Sequence, residues 1–180
     1  DDQLLWRYPP RRLEAEAVRD AMLAIGGEMN WSMGGPSFRP FEFRKFPANA
    51  YVPLDLAGPE YNRRSIYRMN VNSGKEPLMD AFDCPDPAVK TPRRGVTTTP
   101  LQALSLMNGA FATRMAKTFA ERLLKEANGT DAQITLAFHL SLSRAPSLAE
   151  LTASRALVAR TTLETLCWGL FNTTEFLQVE

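Results

Sequence analysis

The side chains best suited to chemistry are two arginine doublets and three aspartates near the middle of the sequence. They are Arg63-Arg64, Arg93-Arg94, Asp80, Asp83 and Asp86. Because a guanidinium group can bind a carboxylate through two parallel hydrogen bonds, these residues could tie an irregular segment to itself. They could also form a basic cleft for a sulfated or carboxylated glycan. Residues 61–100 carry seven basic and four acidic side chains, an excess too small to decide between the two interpretations.

An enzyme site is one form that the basic cleft could take. Asp83 would be its acid/base and is the candidate catalytic residue, while arginines would hold anionic groups of the substrate. The candidate ligand-binding residues are Arg64, Arg68, Arg93, Arg94 and Gln102. This hypothesis requires the two arginine doublets to lie on the same side of the molecule.

The three aspartates also have the short spacing of oxygen ligands for calcium. Their segment lacks the glycine and the terminal glutamate of an EF-hand loop. Pro85 and Pro87 stiffen it as well. We therefore interpret Asp83 and Asp86 as turn-capping residues and predict no metal site.

Cofactor chemistry has little support in a composition with one histidine and two cysteines. These residues cannot by themselves build a zinc, haem or iron–sulfur site, so we expect no cofactor in this chain. His139 lies in a strongly apolar segment and is interpreted as a hydrogen-bonded core or boundary residue. A disulfide between Cys84 and Cys167 would need an oxidising compartment and a fold that brings them together, and the sequence leaves their oxidation state open.

The first element that must position these groups is a helix predicted over residues 10–26. Apolar side chains recur on one side between Arg11 and Ile25, and Gly26-Gly27 can end the helix. Charged residues follow one another at helical spacing on another side: Arg12, Glu16, Arg19 and Asp20. Such spacing is typical of surface ion pairs within a helix, and an anion-binding or acid/base face is the alternative.

A helical body is predicted over residues 99–180. Three capping boxes indicate helix starts: Thr99 with Gln102, Thr130 with Gln133, and Ser147 with Glu150. An amphipathic helix runs from Phe111, and Ile134 to Leu142 is predicted as a central buried helix because it is apolar nearly all round. The last helix has its inner face at Leu163, Leu166, Cys167, Leu170 and Phe171, with Phe176 and Leu177 closing over it.

Between these parts lies a proline-rich segment, residues 34–98, which we call the arm. Ten of the thirteen prolines fall between Pro36 and Pro100, which excludes a long helix or a central strand there. Eight of the seventeen aromatic residues lie in the arm and predict that it is ordered and anchored to the helices. They are Phe38, Phe41, Phe43, Phe46, Tyr51, Tyr61, Tyr67 and Phe82. Within the arm only Arg64 to Val71 alternates as a short edge strand would.

The fold class that follows is mainly α. We expect a single domain over residues 1–180, built as an irregular or orthogonal bundle of four to five helices with the ordered arm. At most a short strand or hairpin accompanies them. A formal charge of +1 gives no reason to expect a nucleic-acid partner, and the longest wholly apolar run has five residues, so we expect no membrane span. The N-terminal residues lack the regions of a signal peptide, and we expect an excised or processed fragment.

Six ordered segments of the chain are similar to a known family: Arg11–Asp20, Met33–Pro36, Arg63–Arg68, Phe82–Pro87, Arg93–Leu104 and Leu170–Leu177. They resemble the C-terminal domain of secreted planctomycete and verrucomicrobial proteins associated with cytochrome c, the domain of unknown function family 1553. The resemblance implies an exported, periplasmic or extracellular protein with a further domain before this one. Any haem would belong to another portion of such a protein. Members of that family tend to occur beside sulfatases, so the resemblance also implies a setting of polysaccharide degradation.

Two functional hypotheses remain from the sequence. In the first, the chain is a non-catalytic module that packs against the preceding domain of the same polypeptide, which predicts a contiguous exposed apolar patch. In the second, it contributes part of an extracytoplasmic redox or hydrolytic site acting on polysaccharide. The direction of Arg93-Arg94, into carboxylates or into an open pocket, distinguishes between them.

Overall fold

Seven α-helices dominate the structure, a computed structural model that describes residues 10–45, 50–72 and 74–179. The mainly α fold class is confirmed, with more helices than the four to five predicted. The helices are α1 (Ala15–Ile25), α2 (Pro77–Ala81), α3 (Pro100–Asn108), α4 (Ala110–Glu126), α5 (Thr130–Leu142), α6 (Leu148–Arg160) and α7 (Leu163–Phe171).

Two short antiparallel ladders accompany these helices. Strands β2 (Phe41–Arg44) and β3 (Ala50–Pro53) form a hairpin in the arm, with Phe43 opposite Tyr51. Strand β1 (Arg11–Arg12) pairs with β4 (Gln178–Val179), so the residues before α1 lie beside the end of the described chain. The first helix therefore begins later than predicted, because the backbone around Arg12 is extended in this ladder and Leu13 N donates to Leu177 O.

For Arg64 to Val71 a short edge strand or no strand was expected, and the structure has no strand there. The first part of this segment forms a 3-10 turn, Ser65–Tyr67, because Ser65 donates from both its backbone N–H and its hydroxyl to the Asp20 carboxylate. A single bridge joins the segment to Phe38, through Phe38 N to Tyr67 O and Met69 N to Phe38 O.

Two of the three predicted capping boxes are present. Thr99 with Gln102 and Ser147 with Glu150 exchange reciprocal hydrogen bonds at the starts of α3 and α6. The box at Thr130 is wrong because Gly129, with φ of 87°, takes the N-cap position. The Gln133 amide donates instead to the Ala127 carbonyl.

The hydrophobic core lies where α1, α4 and α7 meet. Phe119 and Phe171 are almost completely buried, and their ring centroids are 5.6 Å apart. The predicted inner face of α7 is confirmed, with Phe176 packed on Phe171. Helix α5 is not a fully buried helix, since it buries Ile134, Ala137 and Phe138 while His139 is exposed.

Rings of the arm are held beneath arginine side chains. Arg19 lies over Phe38, Arg68 over Phe41, Arg63 over Tyr67 and Arg12 over Phe82, with guanidinium carbons 4.2 to 5.5 Å from the ring centroids. Such cation–π contacts stabilise the arm in addition to the burial of the Phe38 and Phe82 rings. The Phe43 side chain is 47% exposed, and Phe46 lies outside the described residues. Within the described part of the chain, no helix is long and apolar enough to cross a bilayer.

Candidate functional site

One charged face of the first helical region binds the arm. Glu16, Arg19 and Asp20 lie on α1, Arg12 lies in β1 just before it, and each of the four forms a hydrogen bond to an arm residue. They were predicted to pair mainly with one another, but only Arg19 and Asp20 approach, at 3.6 Å. We call these four residues the clamp face, because it fixes the arm to the helices.

Arg19 holds backbone carbonyls of the arm. Its Nη1 donates to Arg63 O at 2.9 Å and its Nη2 donates to Tyr61 O at 2.8 Å. The residue is only 9% exposed, and burial lowers the pKa of its guanidinium group. Through these bonds a buried cation satisfies backbone carbonyls at Tyr61 and Arg63, which lie outside the β2–β3 ladder.

Asp83 is the centre of a second set of contacts. Its Oδ2 accepts from Arg12 Nη2 at 2.5 Å and from Thr97 N at 2.9 Å, and its Oδ1 accepts from the Thr97 hydroxyl at 2.8 Å. Burial acts to raise the pKa of Asp83, but the hydrogen bonds from Thr97 and Arg12 outweigh it, so that the pKa is lowered. The backbone of Asp83 is left-handed, with φ of 61°, which turns the chain so that its carboxylate reaches both partners.

Glu16 and Arg94 form a two-point ion pair. Arg94 Nη1 and Nη2 donate to the two Glu16 oxygens at 2.7 and 2.8 Å, and Glu14 lies 3.4 Å from the same guanidinium group. The Arg94 hydrogen bonds lower the pKa of Glu16, and those of Glu16 raise the pKa of Arg94. The Cys84 thiol lies 3.8 Å from Glu16, and its pKa is raised by burial and then by this carboxylate.

Gln102 joins the end of the arm to α3. Its side chain is buried, accepts from Thr99 N, and donates from Nε2 to Thr97 O at 3.1 Å. Thr97, which sequence reasoning did not single out, thus lies between Gln102 and Asp83. Its place in a run of three threonines before a helix was the only signal in the sequence.

The structure brings only some of the candidate site residues together. Asp83, Arg93 and Arg94 line one groove, and Gln102 is connected to it through Thr97. Arg64 lies away from this groove, beside a later turn of α1, where its Nε is 3.9 Å from a carboxylate oxygen of Asp20. Arg68 lines a separate cavity of about 150 Å³, where burial lowers its pKa.

The three aspartates considered for calcium do not share a site. Asp80 lies 3.1 Å from the Lys75 ammonium group, and Asp86 accepts from Ala88 N at 2.9 Å in a turn. In residues 10–45, 50–72 and 74–179 no group of three or more potential metal ligands is found. Cys84 and Cys167 are both free thiols in the structure.

An apolar face of α3 is the surface feature that sequence reasoning missed. Leu101, Leu104 and Met107 are 62%, 52% and 43% exposed, while the polar Gln102 side chain points inward. Leu101 and Leu104 line an open groove of about 610 Å³ between α2 and α3. Residues three apart share a helix face, so the spacing of the three side chains was a signal present in the sequence.

Comparison with known proteins identifies a family. A family model described as "PSD1: Protein of unknown function (DUF1553)" matches residues 1–158. No curated protein matches the chain. No solved structure matches it either.

Proposed function

The chain belongs to the PSD1 family of proteins of unknown function (DUF1553), and we propose that it is a non-catalytic helical module of a larger exported polypeptide. In this proposal the module packs against the preceding domain of the same polypeptide through the apolar face of α3. Its place of action is the periplasm or the extracellular space, as the resemblance of its motifs implies.

The observation that carries the proposal is the reversed polarity of α3. A surface helix normally buries its leucines and exposes its amide side chains. Here Leu106 is buried as expected, but Leu101, Leu104 and Met107 face solvent and Gln102 faces the arm. Because Thr99 and Gln102 cap this helix from the inside, its rotation is fixed and the apolar face cannot turn inward.

The contacts of the candidate catalytic residue support the same proposal. Both Asp83 oxygens accept hydrogen bonds, and its lowered pKa makes it a poor proton donor near neutral pH. Of the pair Arg93-Arg94, Arg94 is bound to Glu16 and Glu14, as expected of a structural residue, while Arg93 lines an open groove.

Methionine oxidation tests the proposal directly. Met107 is 43% exposed and Met33 is 85% exposed, so mild peroxide should oxidise both in the 180-residue chain. In the complete parent polypeptide we expect Met107 to oxidise at least fivefold more slowly, with Met33 as the internal reference. Equal Met107 rates in the two proteins would contradict the proposal.

Charged substitutions on α3 provide the matched experiment. Leu101→Glu with Leu104→Glu should expose Met107 to peroxide in the parent polypeptide, because two carboxylates cannot be buried in an apolar contact. Leu148→Glu, on α6, is the control, since Leu148 is 80% exposed and lies outside the proposed surface. A Met107 that stays protected in the double variant would place the contact elsewhere.

The second candidate function is a contribution to a redox or hydrolytic site acting on polysaccharide. One observation favours it: Asp83 borders a groove that four arginines line. It predicts that Asp83→Asn abolishes a redox or hydrolytic activity of the parent polypeptide on polysaccharide. The protection of Met107 from peroxide should remain unchanged in that variant.

A further inference from the structure

The groove beside Asp83 has an unusual lining. Arg11 and Arg12 enter it from the segment before α1, and Arg93 and Arg94 enter it from the arm. Its volume is about 390 Å³, within the range of small-molecule sites. Leu13, Phe82 and Val96 add apolar wall to the same groove.

The four guanidinium groups are not equally engaged. Arg94 is bound by Glu16, and Arg12 is bound by Asp83 through Nη2 alone. The Arg12 side chain is only 10% exposed, and its buried Nε and Nη1 find no acceptor among the residues that the structure describes. Glu14 and Asp83 line the same groove, so three of its four arginines lie beside a carboxylate and Arg93 supplies its excess positive charge.

The remaining two arginines are open to a ligand. Arg93 is exposed and forms no hydrogen bond or ion pair with any residue in the described part of the chain. Arg11 is 64% exposed and lies 3.7 Å from Glu14, which is a weak ion pair. Their guanidinium forks can each offer two parallel N–H donors to a planar or tetrahedral oxyanion.

We infer that this groove binds a small organic acid through a carboxylate or a sulfate ester. Arg93 supplies the main contact and Arg11 the second, while Arg12 and Arg94 are fixed by their carboxylate partners and contribute positive potential. The apolar wall packs against the carbon skeleton of the ligand. An acidic sugar residue has this combination of one anionic group and a compact skeleton. The inference is independent of the docking surface on α3.

Titration calorimetry on the 180-residue chain at low ionic strength tests the inference. The test ligands are glucuronate for the carboxylate, glucose 6-sulfate for the sulfate ester, and glucose as the neutral control. We expect at least one acid to bind and glucose not to bind. Preference for one acid identifies the anionic group. Raising the salt concentration from about 20 to about 200 mM should weaken binding, because the contact is ionic and exposed to solvent.

Variants decide whether Arg93 is responsible. Arg93→Ala should weaken binding of the acid at least tenfold, and Arg93→Lys should give an intermediate loss because an ammonium group lacks the fork. Lys90→Ala is the matched control, since it removes the same charge from an exposed position three residues earlier that does not line the groove. The melting temperature should stay unchanged in all three variants.

Three results would overturn the inference. They are binding of glucose as tight as that of either acid, an equal loss in Lys90→Ala and Arg93→Ala, and no binding of either acid. Each result is measured on folded protein, because Arg93 is exposed and forms no hydrogen bond or ion pair with the residues that the structure describes.

Discussion

The helical body and most of the arm are ordered by different interactions, and only the arm segment around α2 shares the apolar core of the body. In the body, Phe119, Phe171 and Leu123 are at most 1% exposed and belong to one continuous apolar cluster. In the arm, Tyr61, Arg63, Ser65 and Thr97 are fixed by polar bonds, many of them to the clamp face and to Asp83.

This difference makes the dependence between the two parts one-sided. The arm buries few side chains of its own between residues 50 and 74, so it needs α1 as a partner for its backbone. Leu78, Met79, Ala81 and Phe82, at the end of the same arm, instead belong to the apolar core cluster of the body. We therefore expect residues 50–74 to open locally while the body and α2 remain folded.

Phe119→Ala should cause the largest loss of stability and should destabilise both the body and the arm. The ring is completely buried and stacks on Phe171, so its removal leaves a cavity in the core. We expect the free energy of unfolding to fall by about 4 kcal/mol, measured by urea denaturation. Phe43→Ala, at a 47% exposed position of the arm, is the control and should cost less than about 1 kcal/mol. Similar losses in the two variants would remove the distinction between body and arm.

Arg19→Met should cause the next largest loss of stability, and this loss should be confined to the arm. Methionine preserves the apolar stem but leaves the carbonyls of Tyr61 and Arg63 without their donors. We expect a loss of about 2 kcal/mol and faster amide exchange over residues 61–69, with exchange in α4 and α7 unchanged. Faster exchange throughout the body would mean that the arm is part of one cooperative unit.

The sequence predicted the parts of the fold that depend on local pattern. The inner face of α7 and the boxes at Thr99 and Ser147 need only residues within a few positions of one another. The box at Thr130 failed because Gly129, one residue earlier, could adopt the left-handed backbone and take the cap. The start of α1 failed for a non-local reason, since a strand from the end of the described chain pairs with Arg11 and Arg12.

The types of residue in the candidate site could be predicted from the sequence, but which residues bind each other could not. The residue types indicated that the arginine doublets would bind carboxylates, but the expected partners were aspartates of the same segment, and Arg94 binds Glu16 of α1 instead. The partner itself could not be identified, because 78 residues separate the two. Thr97 was missed since its importance comes from the left-handed turn at Asp83, which no local pattern indicates.

Glu16→Gln should produce the smallest effect, and its pH dependence tests whether charge holds the arm. The hydrogen bonds from Arg94 lower the pKa of Glu16 below its ordinary value of 4.5 in the folded state. Its contribution to stability is therefore fully present above pH 4.5 and is lost as the pH falls through the lowered folded pKa. Above about pH 5.5 we expect the variant to be less stable by about 1 kcal/mol, because the half-buried pair keeps its geometry but loses one charge. Below about pH 4 the difference from the unmodified chain should shrink, as measured by urea denaturation across the pH series.

Glu42→Gln, at an exposed pair within β2, should show no difference at any pH. A Glu16 effect that stayed constant into acid would mean that shape, and not charge, fastens the arm to α1.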